Sequence, residues 1–290
     1  MTGAVGVVGL GIMGGAMSAN LVKAGFEVRG YDIAAARRSA LGKAGGKPVA
    51  SVAGLRTGVI ITSLPSAHAL HSVCKEISSG IIVETSTLPI EDKLKARDIL
   101  KRKGITLLDC PLSGTGAQAK TGDLVVFGSG DRKAFAKVVG VLKGFSRAQH
   151  YLGAFGNGCK MKYVANLMVA IHNVSAAEAF ALGMKAGLTP KMIFDVQANS
   201  AGSSRMFQVR GPMMVKGRYD EVTMKNEVWQ KDMKIIGDYA RRLGVATPTF
   251  KASAGVYRAA MAQGFARQDT GAVCAVLERM SGIRRRKGHG

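Results

Sequence analysis

Residues 4–32, AVGVVGLGIMGGAMSANLVKAGFEVRGYD, constrain this chain more than any other stretch. The apolar run containing Val5, Val7 and Val8 reads as a strand buried on both faces. It passes directly into Gly9-Leu10-Gly11-Ile12-Met13-Gly14, a GxGxxG turn, and then into a helix from about Met13 to Lys23 that Gly25 ends. Phe26 to Tyr31 reads as a second strand, with Asp32 at its end. In such a turn Gly9 permits the tight bend, Gly11 lets the backbone approach a pyrophosphate, and Gly14 lets the helix pack closely. The helix N-terminus adds N–H donors and positive potential. Asp32 stands 18 residues after Gly14, where a carboxylate can accept the ribose hydroxyls of NAD. Arg37 and Arg38 follow by five and six residues and are expected on the next helix, so NAD is expected ahead of NADP.

The same alternation continues. Apolar strands are predicted within 58–65, 80–87, 104–112 and 122–130, with amphipathic stretches such as 90–103 and 131–142 between them. Strand alternating with helix over some 150 residues predicts an α/β doubly wound parallel sheet. After His150 the texture changes. Residues 159–186 are rich in alanine and methionine, lack proline and read as one long helix. Further helices are predicted over 190–198, 227–243, 248–263 and 269–280. The expected organisation is a dinucleotide-binding Rossmann-type domain, 1–158, followed by an all-α domain for substrate and oligomer contacts, 159–290. Residues 198–214, polar and glycine-bearing, read either as an interhelical loop or as a source of substrate contacts from Ser203, Ser204 or Arg205.

Composition excludes more than it assigns. With 47% hydrophobic residues the chain has ample core, but it has no run of 18 apolar residues, so no membrane span is expected. The first 22 residues carry no Lys or Arg, which argues against a signal peptide. Cys74, Cys110, Cys159 and Cys274 are scattered and form no CxxC, which suits a reducing, cytoplasmic setting. His68 and His71 lack companion ligands, so no metal is expected. The net charge of +22 favours acidic partners: an anionic substrate, phosphates or nucleic acid. Its one compact block, Arg284 to Lys287, reads as a frayed, solvated terminus.

Four stretches together make the chain similar to a known family. GLGIMGGAMSANL (9–21), DCPLSG (109–114), GNGCKMKYVAN (156–166) and KDMKIIGDYA (231–240) resemble motifs of the β-hydroxyacid dehydrogenases. That family includes 3-hydroxyisobutyrate, tartronate semialdehyde, threonate and 6-phosphogluconate dehydrogenases. The resemblance covers nearly the whole chain. It implies that Ser113 and Gly114, with Thr115 beside them, hold the substrate carboxylate. It implies that Lys162 is the catalytic lysine, with Asn166 beside it, and that Lys231 reaches cofactor and substrate. It also implies that Leu64, Pro65 and Thr87 line the NAD site. The chain departs from the family pattern at Thr115 and Gln118, where glycines are usual, and at Ala165, where the family often pairs two asparagines.

The residues themselves agree with that chemistry. On a helix Lys160 and Lys162 point roughly 200° apart, whereas Lys162 and Asn166 share a face. Lys162 is expected to take the substrate hydroxyl proton as hydride leaves for NAD, and to return it in the reverse direction. An ordinary lysine titrates near about 10.4, so this role calls for desolvation or a positive neighbour such as Lys231. The expected function is oxidation of a small anionic 3-hydroxy acid to its semialdehyde or keto acid, or the reverse, by a homodimer or homotetramer. Two other readings stay open: a cofactor-bound module that binds nucleic acid through its basic surface, and an imine reductase relative. The presence of Lys162 argues against both.

Overall fold

The computed structural model describes residues 3–285, and the chain divides into two compact units, 1–162 and 163–290. In the first, six strands form one parallel sheet. They are β1 (Ala4–Val8), β2 (Glu27–Tyr31), β3 (Lys47–Pro48), β4 (Val59–Thr62), β5 (Ile81–Glu84) and β6 (Thr106–Asp109), in the order β3-β2-β1-β4-β5-β6. Between them run α1 (Ile12–Lys23), α2 (Ala35–Lys43), α3 (Ala67–Glu76) and α4 (Ile90–Lys101). The order reverses between β1 and β4, and ligands of open α/β sheets bind beyond the strand ends at such a reversal.

The continuous apolar strands have a direct physical reason. Ile61, Val83 and Leu108 are paired across β4, β5 and β6 and belong to one buried cluster with Val5, Val7, Met17 and Leu21. Their neighbours Ile60, Ile82 and Leu107 belong to a second cluster, with Leu70, Val73 and Leu100. Both faces of the sheet are covered, so both sets of alternate residues must be apolar.

The predicted strand at 122–130 does not join this parallel sheet. β7 (Leu112–Ser113), β8 (Val125–Gly128) and β9 (Ala148–Tyr151) form a separate three-stranded sheet, in which β7 and β8 are antiparallel and β8 and β9 parallel. A parallel return needs a crossover of a dozen or more residues. Only Cys110 and Pro111 separate β6 from β7, and residues 114–124 hold just the short α5 (Gly116–Lys120). The longer α6 (Arg132–Lys143) provides the crossover from β8 to its parallel partner β9.

The second unit is helical. The division falls within α7 (Asn157–Lys185), which is followed by α8 (Pro190–Gln197), α9 (Arg205–Lys216), α10 (Asn226–Arg242), α11 (Pro248–Ala262) and α12 (Val273–Met280). By length and a mean hydropathy of 1.4, α7 matches the dimensions of a membrane span, which the absence of a continuous apolar run did not signal. Its apolar character has a core to serve: Tyr163, Ala170, Val174, Ala177 and Phe180 are buried. Phe180 stacks on Phe207 at 5.5 Å, and Phe194 stacks on Phe207 at 5.8 Å.

Residues 198–214 are not a loop throughout. Ser204 caps α9 by accepting the Phe207 N–H, and Gly217, at φ 64°, ends it. Gly211 and Pro212 inside the helix hide it from a propensity reading. Arg285 is likewise not a solvated terminus. Its guanidinium pairs with Glu278 at 2.6 Å and donates to the Val215 carbonyl at 2.7 Å. Arg286 and Lys287 lie outside the described residues.

Candidate active site

The glycine loop has the geometry its spacing demands. Gly9 leaves β1 at φ 89°, a left-handed conformation in which a side chain is strained. A Cβ on Gly14 would collide with the Gly9 carbonyl oxygen. A Cβ on Gly11 would meet only Arg37 Nη1, at 3.8 Å, so the backbone there faces open space. No side chain caps the first turn of α1. Leu10 is buried, Ile12 is exposed and Met13 is half-buried, so the outward face of the turn is backbone and Ile12. This is a cradle that fits a dinucleotide pyrophosphate.

Asp32 lies at the end of β2 and is buried. Its Oδ2 accepts the Leu10 N–H at 2.8 Å and its Oδ1 accepts the Ala34 N–H at 2.9 Å. Burial alone would raise this carboxyl, but those two N–H groups and Arg37 outweigh it and hold it below the ordinary carboxylate range. Arg37 and Arg38 do lie on α2, yet both reach back. Arg37 Nη1 is 3.2 Å from Asp32 Oδ2, and Arg38 donates to the carbonyl oxygens of Asp32 and Ile33. Arg37, largely exposed, therefore lies beside both Asp32 and Gly11.

The two loops beyond β4 and β5 are tied together. The Leu64 N–H donates to Ser86 Oγ at 2.8 Å. Pro65 is exposed and Thr87 half-buried. Ser113 ends β7, opposite Val125, and is half-buried. Gly114 follows at φ 138°, and a Cβ there would strike Leu124 at 2.6 Å. Thr115 caps α5 in a reciprocal box with Gln118: the Gln118 side chain accepts the Thr115 N–H at 3.0 Å, and Thr115 Oγ1 accepts the Gln118 N–H at 3.4 Å. Gln118 also donates to Asp123 at 2.8 Å. The two departures from the glycine pattern thus form one device, which commits the Thr115 side chain to its own helix.

On α7, Lys160 is exposed and donates to Asn157 Oδ1 at 3.1 Å, whereas Lys162 is half-buried. Asn166, one turn beyond Lys162, is 5% exposed. Its amide nitrogen donates to Asp232 Oδ2 at 2.9 Å, and Lys231 Nζ is 3.6 Å from Asp232 Oδ1. Asp232 was missed by sequence reasoning. Its signal was there, since the lysine and aspartate of KDMKIIGDYA are adjacent, but only the lysine received a role. By holding the amide nitrogen, Asp232 turns the Asn166 carbonyl oxygen away from itself.

The remaining candidates reduce to packing. All four cysteines are buried free thiols. Burial pushes the Cys110 and Cys159 thiols up, which leaves them protonated and unreactive at neutral pH. Among the described residues no group of His, Cys, Asp and Glu could hold a metal ion.

Known proteins align with both units. The family model described as the NAD binding domain of 6-phosphogluconate dehydrogenase matches residues 4–154. A second, described as the NAD-binding domain of NADP-dependent 3-hydroxyisobutyrate dehydrogenase, matches residues 156–277. The chain is 31% identical to the L-threonate dehydrogenase of Cupriavidus necator, over 94% of this chain and 95% of that one. It is 29% identical to the chloroplastic glyoxylate/succinic semialdehyde reductase 2 of Arabidopsis thaliana, over 96% of this chain and 80% of that one. Among solved structures, the 3-hydroxyisobutyrate dehydrogenase of Mycobacterium tuberculosis, determined with L-serine, superimposes with a TM-score of 0.85 at 26% identity. That match covers 97% of this chain and 99% of the other.

Proposed function

This chain belongs to the β-hydroxyacid dehydrogenase family, an NAD(P)-binding oxidoreductase family, and from that premise we propose that it oxidises a small 3-hydroxy acid to its semialdehyde or keto acid, or catalyses the reverse. The observation that carries the reading is the contrast on α7 between exposed Lys160 and half-buried Lys162, with buried Asn166 one turn further on. Lys162 takes the hydroxyl proton in oxidation and returns it in reduction. Asn166, one of whose two amide N–H groups is held by Asp232, keeps the other to donate to the hydroxyl oxygen and orients it without adding charge. Ser113 and the Gly114 N–H bind the substrate carboxylate, a charge-assisted contact that fixes the reacting carbon. Thr115 borders the carboxylate site without donating to it, since its N–H and its hydroxyl are both engaged with Gln118.

When bound, the nicotinamide supplies the hydride acceptor. Gly9, Leu10, Gly11, Ile12, Met13 and Gly14 would hold the pyrophosphate of the dinucleotide and Leu64, Pro65 and Thr87 would flank it, while for Lys231 a cofactor role rests on the family resemblance alone. Asp32 favours NAD over NADP, because it accepts ribose hydroxyls and repels a 2′-phosphate. A second reading of the cofactor rests on Arg37, whose position beside Asp32 suits a phosphate.

Lys162→Ala should abolish turnover, with a loss of about 10²–10⁴-fold, and leave NADH binding nearly intact, while Lys160→Ala should match wild type. Equal behaviour of the two variants in kcat would remove Lys162 from its role.

A further inference from the structure

Three fully buried charged groups stand outside the chemistry just described. Glu84, at the end of β5, Asp109, at the end of β6, and Lys93, on α4, are each 0% exposed. Lys93 Nζ lies 2.5 Å from Glu84 Oε2 and 2.8 Å from Asp109 Oδ1. Burial alone would lower the Lys93 ammonium, but the carboxylates of Asp109 and Glu84 outweigh it and hold it well above the usual lysine range. Nothing about the stability of α4 calls for this. Well-packed apolar side chains often replace a buried ion pair at no cost.

What apolar side chains cannot do is accept hydrogen bonds, and these carboxylates accept them from two functional segments. Glu84 Oε1 accepts the Ser86 N–H at 2.9 Å, and Ser86 Oγ accepts the Leu64 N–H at 2.8 Å. Asp109 Oδ2 accepts the Cys159 N–H at 2.8 Å and the Ser129 hydroxyl at 3.1 Å. Ser129 Oγ in turn accepts the Gly158 N–H at 3.0 Å. The Cys159 thiol completes the set, at 3.2 Å from Asp109 Oδ1. α7 is preceded by Gly156, at φ 96°, which has no side chain to cap it. Its first-turn N–H groups are capped from β6 and from Ser129, and the Asp109 charge sits favourably at the N-terminus of a 29-residue helix. An unbroken chain of polar contacts therefore runs from Leu64 through Ser86, Glu84, Lys93 and Asp109 to Cys159, three residues before Lys162.

We propose that Lys93 is a positioning residue, which locks the Glu84 and Asp109 carboxylates in one geometry and so fixes the cofactor-flanking loops and the start of the lysine-bearing helix in mutual register. The inference rests on the reading of Lys162 as the acid–base group, but its cofactor arm does not. Lys93→Met alone leaves two carboxylates facing each other, so its thermal stability falls as pH rises. Lys93→Met/Glu84→Gln restores the charge balance of the cluster, and Ser129→Ala leaves all three charges in place while loosening α7.

In the full-length chain, NADH binding without substrate, kcat, KM and the pH profile are measured with any hydroxy acid that turns over. The folded double variant should bind NADH more weakly and lose kcat by about 10²-fold, the scale of a misplaced catalytic group. Ser129→Ala should lose kcat while retaining NADH affinity, because it disturbs only the α7 end of the chain. Wild-type kcat and NADH affinity in the folded double variant, or wild-type kcat in Ser129→Ala, would overturn the proposal. Lys162→Ala run in parallel separates the two claims: if it retains turnover, the acid–base assignment fails, while the NADH titration of the Lys93 variants still decides whether Lys93 sets the cofactor loops.

Discussion

At the scale of single residues, the proposed preference for NAD turns on Asp32 and its neighbour Arg37. The carboxylate already accepts from Leu10, Ala34 and Arg37, and a carboxylate can accept about four hydrogen bonds in all. A ribose hydroxyl must therefore take the remaining position or displace Arg37, which is free to swing because it is largely exposed. Asp32→Ser should weaken NAD and improve NADP, and Arg37→Ala should do the reverse. Each effect should be about 30- to 1,000-fold in kcat/KM, or roughly 2–4 kcal/mol. Steady-state kinetics with both nucleotides check this, and a wild type that prefers NADP would show that Arg37 overrules Asp32. The sequence showed Asp32 and the glycines plainly, because a fixed spacing encodes their geometry. It could not show Arg37 folding back from α2, since side-chain direction over five residues depends on the turn between. Lys93 was invisible for a similar reason. A lysine on an amphipathic helix reads as surface until the strands packed against it are known to end in carboxylates.

At the scale of elements, the parallel strands other than the two-residue β3 and most helices were legible because periodicity and glycine punctuation are local. The helix α9 was not, because Gly211 and Pro212 speak against helix locally while tertiary packing stabilises it. Its inward face carries Arg210, 2% exposed, which pairs with Asp269 at 2.8 Å. Asp269 also accepts the N–H groups of Thr223, Met224 and Gly271 and the Thr223 hydroxyl, so one carboxylate fastens α9, the segment before α10 and the turn before α12. Burial alone would raise this carboxyl, but Arg210 and the donors together hold it below its ordinary value of 3.8. A depressed folded-state value means that the stabilisation is fully present above the unfolded value and is lost as pH falls through the folded one. Asp269→Asn should cost about 3–5 kcal/mol near neutral pH, because it leaves Arg210 buried without its counter-charge. Chemical denaturation across pH should show the gap between variant and wild type narrowing below about pH 4. A gap independent of pH would mean that the amide replaces the carboxylate through hydrogen bonding alone.

At the scale of the whole molecule, the proposed reaction is transfer of hydride between a nicotinamide and a small carboxylated alcohol. The net charge of +22 is compatible with an anionic substrate and with nucleic acid alike, so charge alone does not choose between them. The proposed acid–base role of Lys162, with Asn166 one turn on, is what separates the two readings in an experiment. The most direct measurement is formation of NADH or NADPH with 3-hydroxyisobutyrate, glycerate, threonate, 3-hydroxypropionate and gluconate, for wild type and Lys162→Ala. The wild type should turn over at least one of these acids with saturation, and the variant should lose that turnover while retaining NADH affinity. The contradicting result is a folded wild type that binds NADH yet oxidises none of them with either nucleotide, or turnover that survives the loss of Lys162.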